Sequence, residues 1–278
     1  MTGPALPATQ QDLAPENEET ASIAPSAQHE VAVEAVAPGQ ESATLSARLT
    51  DQSSSALKGM TWKVRNAAGD TVYDSSATSA AIALQPGFYT VEAHYGSVVL
   101  DESFTLLEGT AMELRFVLNA GALRVLPRIK GMAPPGLASM TRIFALTGKS
   151  KGKMVQESAI PGTVINLTAG QYRVENRLNG GNAVSVIDVT IQPGIMSSVE
   201  IDHRAGLARL AYVGAPDARV EWEIRQGDTT QLANISGINA NVALKPGSYT
   251  AIARIGNESL TASFLIKEGE ARDILLGN

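Results

Sequence analysis

Three ten-residue stretches, LQPGFYTVEA at 84–93, LTAGQYRVEN at 167–176 and LKPGSYTAIA at 244–253, repeat one pattern. A chain that repeats a unit builds its core unit by unit, so this recurrence limits the fold more than any other feature. In Gln85-Pro86-Gly87-Phe88 and Lys245-Pro246-Gly247-Ser248 the proline presets a corner and the glycine supplies a positive φ, the pattern of a type II turn. The middle copy keeps the glycine as Ala169-Gly170 and loses the proline. Around each turn apolar residues alternate with polar ones: Ile82 and Leu84 before it, Tyr89, Val91 and Ala93 after it. That period of two predicts strands with one buried face.

A second glycine turn follows at Glu108-Gly109, Pro193-Gly194 and Glu268-Gly269, and the spacing holds. From turn to turn is 22 residues in copies one and three and 24 in copy two. Trp62 in MTWKVR and Trp222 in VEWEIR each precede the repeated tyrosine by 27 residues. Both tryptophans fall in register with inward apolar neighbours and are expected in the core. In copy two, alignment on Met140 sets Arg142 opposite them. A buried unpaired guanidinium is costly, so Arg142 should reach solvent or a carboxylate, or the strand should shift by one and turn Ile143 inward.

Short strands punctuated by Gly and Pro predict an all-β chain of three tandem β-sandwich repeats, Ig-like or prealbumin-like, at 43–119, 120–204 and 205–278. The connections at Asn119-Ala120-Gly121 and His203-Arg204-Ala205-Gly206 leave little slack between them. Residues 1–42 hold seven acids, no Lys or Arg, and five prolines. Their composition predicts a disordered acidic linker.

Subtracting those seven from 28 acids leaves 21 against 22 bases, so the repeats are near neutral and offer no nucleic-acid surface. Cysteine is absent, which excludes disulfides and thiolate chemistry. No apolar run is long enough to span a membrane and no signal peptide is evident. The three histidines, His29, His94 and His203, stand apart from one another and from other ligand-type residues, so no metal, no cofactor and no catalytic residue is assigned. His203 is expected to fill a junction between repeats. The phrase TGKS at 147–150 lacks the first glycine of a phosphate-binding loop, and Lys149, Lys151 and Lys153 are read as a hairpin tip able to touch a polyanion. Phe88 takes an outward position filled by Gln171 and Ser248 elsewhere. Phe88, Arg142 and the three lysines are the candidate contact residues.

The motif L-x-P-G-x-Y-x-V with its downstream glycine turn resembles the Cna-B-like, carboxypeptidase-regulatory-like and PEGA-type β-sandwich repeats of bacterial surface proteins. LTAGQYRV, VEIDHRAGLARLAYV and VEWEIRQGD are also similar to alphaproteobacterial cell-envelope proteins with tandem repeats of this kind. The resemblance implies an extracytoplasmic setting, periplasm or cell surface, with the export signal outside the given chain. It implies a non-enzymatic structural or adhesion-type scaffold with a protein or cell-envelope polysaccharide partner, the alternative being a polysaccharide- or peptidoglycan-binding module. The isopeptide cross-link of Cna-B-like modules, promoted by a glutamate four residues after the tyrosine, is not expected, since Ala93, Asn176 and Ala253 stand there.

Overall fold

A computed structural model describes residues 28–132, 138–178, 180–227 and 230–277. The described chain consists of strands and their connections. A first strand, β1 (Gln28–Ala35), precedes β2 (Ser42–Arg48), β3 (Thr61–Asn66), β4 (Thr71–Ser76), β5 (Ser79–Ala83), β6 (Gly87–Tyr95), β7 (Val98–Leu106) and β8 (Thr110–Val117). The second repeat contains β9 (Ala120–Ile129), β10 (Ser139–Ala145), β11 (Met154–Ser158), β12 (Val164–Thr168), β13 (Gly170–Leu178), β14 (Val184–Ile191) and β15 (Met196–His203). The third contains β16 (Gly206–Val213), β17 (Val220–Gln226), β18 (Thr230–Ser236), β19 (Asn239–Leu244), β20 (Gly247–Ile255), β21 (Glu258–Ile266) and β22 (Ala271–Gly277).

The three repeats share one strand order. One sheet runs β4-β3-β6-β7, and β11-β10-β13-β14 and β18-β17-β20-β21 repeat it. The facing sheet sets the first strand of the repeat between the fourth and the seventh, as β5-β2-β8, β12-β9-β15 and β19-β16-β22. First and seventh strands run parallel and every other pairing is antiparallel. The register of the third strand slips at the same place in each copy, after Val64, Ile143 and Ile224. A bulge kept three times in register identifies the copies residue by residue.

Each sandwich closes over its own core. Trp62 and Trp222 are fully buried, and each indole Nε1 donates to a carbonyl fifteen positions on, Ala77 at 2.9 Å and Gly237 at 2.8 Å. A fourth apolar cluster, Ile129, Leu178, Ala183, Ala205, Leu207 and Ala243, lies between repeats 2 and 3.

The repeated turn departs from expectation. Gly87 does not take a positive φ, and Gly170 and Gly247, at 156° and 158°, keep a backbone that favours glycine but lie far from the second corner of a type II turn, so the turn is not type II. What recurs instead is a tyrosine folded back over the glycine. The hydroxyls of Tyr89, Tyr172 and Tyr249 donate to the carbonyls of Gln85, Thr168 and Lys245, each at 2.7 Å. The ring edge lies 3.8, 3.8 and 3.6 Å from where the glycine Cβ would stand. This is the tyrosine-corner device, in which a ring packs on the sheet while its hydroxyl fastens the preceding turn. The left-handed glycines are those of the second turn, Gly109, Gly194 and Gly269, at φ 68°, 72° and 70°.

The linker expected over 1–42 needs correction at its end. Residues 28–35 form β1, which pairs antiparallel with β8 from Gln28↔Val117 to Ala35↔Thr110. Alternating Val31 and Val33 with Glu30 and Glu34 is a strand pattern, and the acids hid it from a reading based on composition. The rest of the linker reading, residues 1–27, lies outside the described residues.

The joints use glycine where backbones meet. In repeats 2 and 3 the turn glycine N–H bonds a carbonyl of the incoming chain, Gly194 to Ala120 at 2.8 Å and Gly269 to Ala205 at 2.9 Å. The next residues, Gly121 and Gly206, pass so close that a Cβ would stand 2.3 Å from Gln192 O or 2.4 Å from Lys267 O. In repeat 1 the matching residue is Glu41, whose carboxylate takes the Gly109 N–H at 2.9 Å in place of a carbonyl. That bond, before any other, holds the Glu41 carboxyl below the ordinary carboxylate range.

These geometries rank two substitutions. Gly269→Ala, left-handed and with its Cβ 2.9 Å from Lys130 O, should cost about 1–3 kcal/mol. Gly87→Ala should stay within about 0.5 kcal/mol. Chemical denaturation of the two variants checks the order.

Candidate functional site

The sequence-derived contact residues do not converge. Phe88 is exposed on β6 in repeat 1, whereas Arg142 and the lysines belong to repeat 2. Arg142 faces outward on β10 and pairs with Glu157 on β11 at 2.6 Å. Lys149, Lys151 and Lys153 are exposed on the turn joining those two strands. The turn is well braced, with Gly152 N donating to Ala145 O at 2.7 Å and Lys153 N to Ser150 O at 2.9 Å. The corresponding turn of repeat 1 carries no lysine and is closed by Asn66 Oδ1, which accepts from the N–H groups of Ala68 and Asp70.

Repeat 2 differs most in its interior. Thr141 pairs with Asn176 as Trp62 pairs with Ala93 and Trp222 with Ala253, so Thr141, not Arg142, takes the tryptophan position. The strand is shifted by one, and Ile143 is fully buried. Ser139 replaces Met60 or Val220, and His203 stands where repeat 1 has Leu118. The vacated space holds a buried polar cluster. Asn176 Nδ2 donates to Thr141 Oγ1 at 2.8 Å and Ser139 Oγ at 3.3 Å, and Asn176 Oδ1 meets His203 Nε2 at 2.9 Å.

This bond makes Nε2 the donor, since an amide oxygen only accepts. The other nitrogen, Nδ1, lies beside the Ala183 backbone without closing a hydrogen bond of normal geometry. Burial pushes the imidazole down to about 4. The ring is therefore neutral at physiological pH, and the four side chains form a polar plug at the end of repeat 2 that faces repeat 3. Sequence alone placed His203 at the junction but missed the cluster. The usable signal was Asn176, a polar residue where the other copies have Ala93 and Ala253.

A shallow hollow of about 380 Å³ on repeat 1 is lined by Arg65, Thr90, Glu92, Asp101, Glu102 and Ser103. Glu92 bridges His94 at 2.8 Å and Arg65 at 3.0 Å, and these bonds, that to His94 foremost, hold its carboxyl below the ordinary range. In repeat 3 the buried Glu223 is clamped by Arg225 and Arg254, both at 2.5 Å. Among the described residues no group of three or more His, Asp and Glu is placed to hold a metal, and no helix is long and apolar enough to cross a membrane.

The His203 site predicts a pH window. The unfolded ring titrates near 6.5 and the buried one near 4, so the unfolded chain binds the extra proton between them. Stability is fully present above about pH 6.5 and falls as pH drops toward 4, by about 3 kcal/mol in all. The double variant His203→Leu, Asn176→Ala restores the residues of repeat 1. Its denaturation midpoint should lose most of that slope, while carboxylate-linked loss at lower pH remains.

Comparison with known proteins adds a family match to this geometry. None of the curated proteins compared matches the chain. Among solved structures, the Bacillus anthracis TIE protein is similar at 20% identity over 88% of this chain, with a TM-score of 0.27, and the chain spans 51% of its length. A Streptococcal ancillary pilin is similar at 8% identity over 86% of this chain and 98% of that one, with a TM-score of 0.30. BcpA, the major pilin subunit of Bacillus cereus, is similar at 10% identity over 86% and 99%, with a TM-score of 0.23. The fold assignment rests on the chain's own strand order: the chain is a tandem array of β-sandwich repeats, and its residues 46–118, from β2 to just past β8, match the Rhizobiales growth-associated tandem repeat domain.

Proposed function

We propose that the chain is a non-enzymatic scaffold of the cell envelope, acting in growth or adhesion by holding surfaces at fixed spacing. The joints carry this reading. Two-residue gaps separate β8 from β9 and β15 from β16, and each joint is fastened on more than one side. At the second, Asn182 accepts from Lys245 N at 2.9 Å and donates to the Tyr249 hydroxyl at 3.1 Å, so a hairpin of repeat 2 grips the tyrosine corner of repeat 3. At the first, Ser97 donates to Gln156 at 2.6 Å, and Asn119 takes a left-handed φ of 46°. Such joints transmit position instead of absorbing it. The growth association of the matching family fits a structural part.

The lysine turn favours a second reading, recognition of an acidic envelope polysaccharide. None of Lys149, Lys151 and Lys153 enters an ion pair among the described residues. Three unpaired ammonium groups on a braced turn suit a polyanion, through contacts that salt weakens.

Two experiments test these readings. Gly181→Val would drive a Cβ that stands 2.1 Å from Ala243 O into the second joint while leaving each sandwich core intact. If spacing is the function, this variant should fail to replace the wild-type chain in growing cells, although circular dichroism shows it folded; full replacement refutes the scaffold. Fractionation of the natively expressed full reading frame should recover it with the envelope, and recovery only in the cytoplasm would move the scaffold inside the cell. For the second reading, changing all three lysines to serine should abolish salt-sensitive retention on an acidic polysaccharide column.

A further inference from the structure

The seventh strand of each repeat turns one side away from the first strand, and the three copies treat that side differently. In repeat 1 it is covered, since β1 pairs along the whole of β8. Among the described residues β15 and β22 carry no strand on that side. The chain thus contains its own demonstration that this edge accepts an antiparallel partner. An uncovered strand edge is a template for pairing unless charge or shape blocks it.

Repeat 2 blocks its edge. Arg128 corresponds to Arg48, which in repeat 1 holds Glu30 of β1 at 2.6 Å. In repeat 2 the arginine is satisfied by Glu200 of the edge strand itself. Ser185 also donates to the Asp202 carbonyl at 3.1 Å, occupying an edge acceptor. A strand like β1 would meet like charge there, Glu30 against Glu200.

Repeat 3 lacks these blocks. Val213 stands at the position of Arg48 and Arg128, and Leu275 at that of Arg115 and Glu200. Both are exposed, at 51% and 66%, on the outer face of the sheet. The charges of β22 are engaged within the repeat: Arg272 donates to Leu265 O at 3.1 Å and Asp273 lies 3.8 Å from Arg209.

We infer that β22 is a self-association edge, and that a second copy of this chain pairs its own β22 antiparallel to it about a two-fold axis through Leu275. In that register Leu275 meets the partner's Leu275, Ile274 meets the partner's Leu276 and Asp273 meets the partner's Gly277. No like charges oppose, and the two leucines and two Val213 side chains close into one apolar patch across the seam. An isologous contact of this kind closes at two copies. Strand β1 of another copy is the poorer occupant, because it sets Glu30 against Leu275 and must first leave β8. The inference is independent of the scaffold reading, since it concerns only the edge of one sheet.

Sedimentation velocity tests it, run from low micromolar to several hundred micromolar chain. The wild type should reach twice the monomer mass as concentration rises. Leu275→Lys, and separately Val213→Lys, should weaken self-association by about tenfold or more without lowering the melting temperature, because both sites are exposed. Ser198→Lys, at an exposed position on β15, should leave the dimer unchanged. Hydrogen exchange at 272–277 should slow with concentration while exchange at 196–203 does not. A chain monomeric throughout, or a dimer indifferent to both lysines on the repeat 3 edge, overturns the proposal. So does a dimer lost in Ser198→Lys.

Discussion

Everything in the array hangs on the tyrosine that folds back over a bare glycine. Its hydroxyl fixes the end of the fourth strand, its ring lies on the core, and its strand pairs with both neighbours in the four-stranded sheet. The fourth strand carries the first, and the first lies parallel to the seventh. One hydrogen bond of about 1 kcal/mol net does little alone. Here it coordinates two sheets, because turn and strand cannot move apart without exposing an aromatic ring. In repeat 3 the same hydroxyl also receives Asn182 from the preceding repeat, so the device that closes a unit also seats the next one.

Much of this was legible in the sequence, but for a reason that needed correction. The repeated glycine before the tyrosine was read as the corner of a type II turn, whereas Gly87 has no positive φ and Gly170 and Gly247, at 156° and 158°, still take a backbone that favours glycine but lie far from that corner. A single letter in the sequence does not distinguish these backbones. All three copies keep a left-handed glycine at the second turn, Gly109, Gly194 and Gly269. Strand β1 was hidden because its outward acids resembled a solvated tail, and a strand held almost wholly by its ladder has no buried face to show. The buried cluster was hidden by a one-residue register: aligning on Met140 set Arg142 in the core, and only the pairing Thr141↔Asn176 shows which side chain took the tryptophan's place.

That exchange is the largest divergence among the copies. A tryptophan fills its pocket by dispersion and leaves one N–H to satisfy. Ser139, Thr141, Asn176 and His203 fill it with groups that must all be matched, and a partly matched polar cluster is costly where the dielectric is low. The middle repeat has given up apolar packing at the end that faces repeat 3. Its joint therefore contains the one buried imidazole of the described chain, in a position where charge and packing are coupled.

Glu41 shows that the second turn can be closed in two ways. In repeats 2 and 3 the turn glycine bonds a carbonyl at the start of its own first strand, and the next residue is Gly121 or Gly206, whose Cβ would meet Gln192 O or Lys267 O of that same repeat. In repeat 1 a carboxylate takes the place of the carbonyl, and the residue at that position carries a side chain. Each solution lies inside its own repeat, so the turn and the residue that closes it are matched as a pair. A unit copied whole keeps its match wherever it lands, whereas a crossover between the first strand of one repeat and the second turn of another would set a glutamate where a methyl group already clashes.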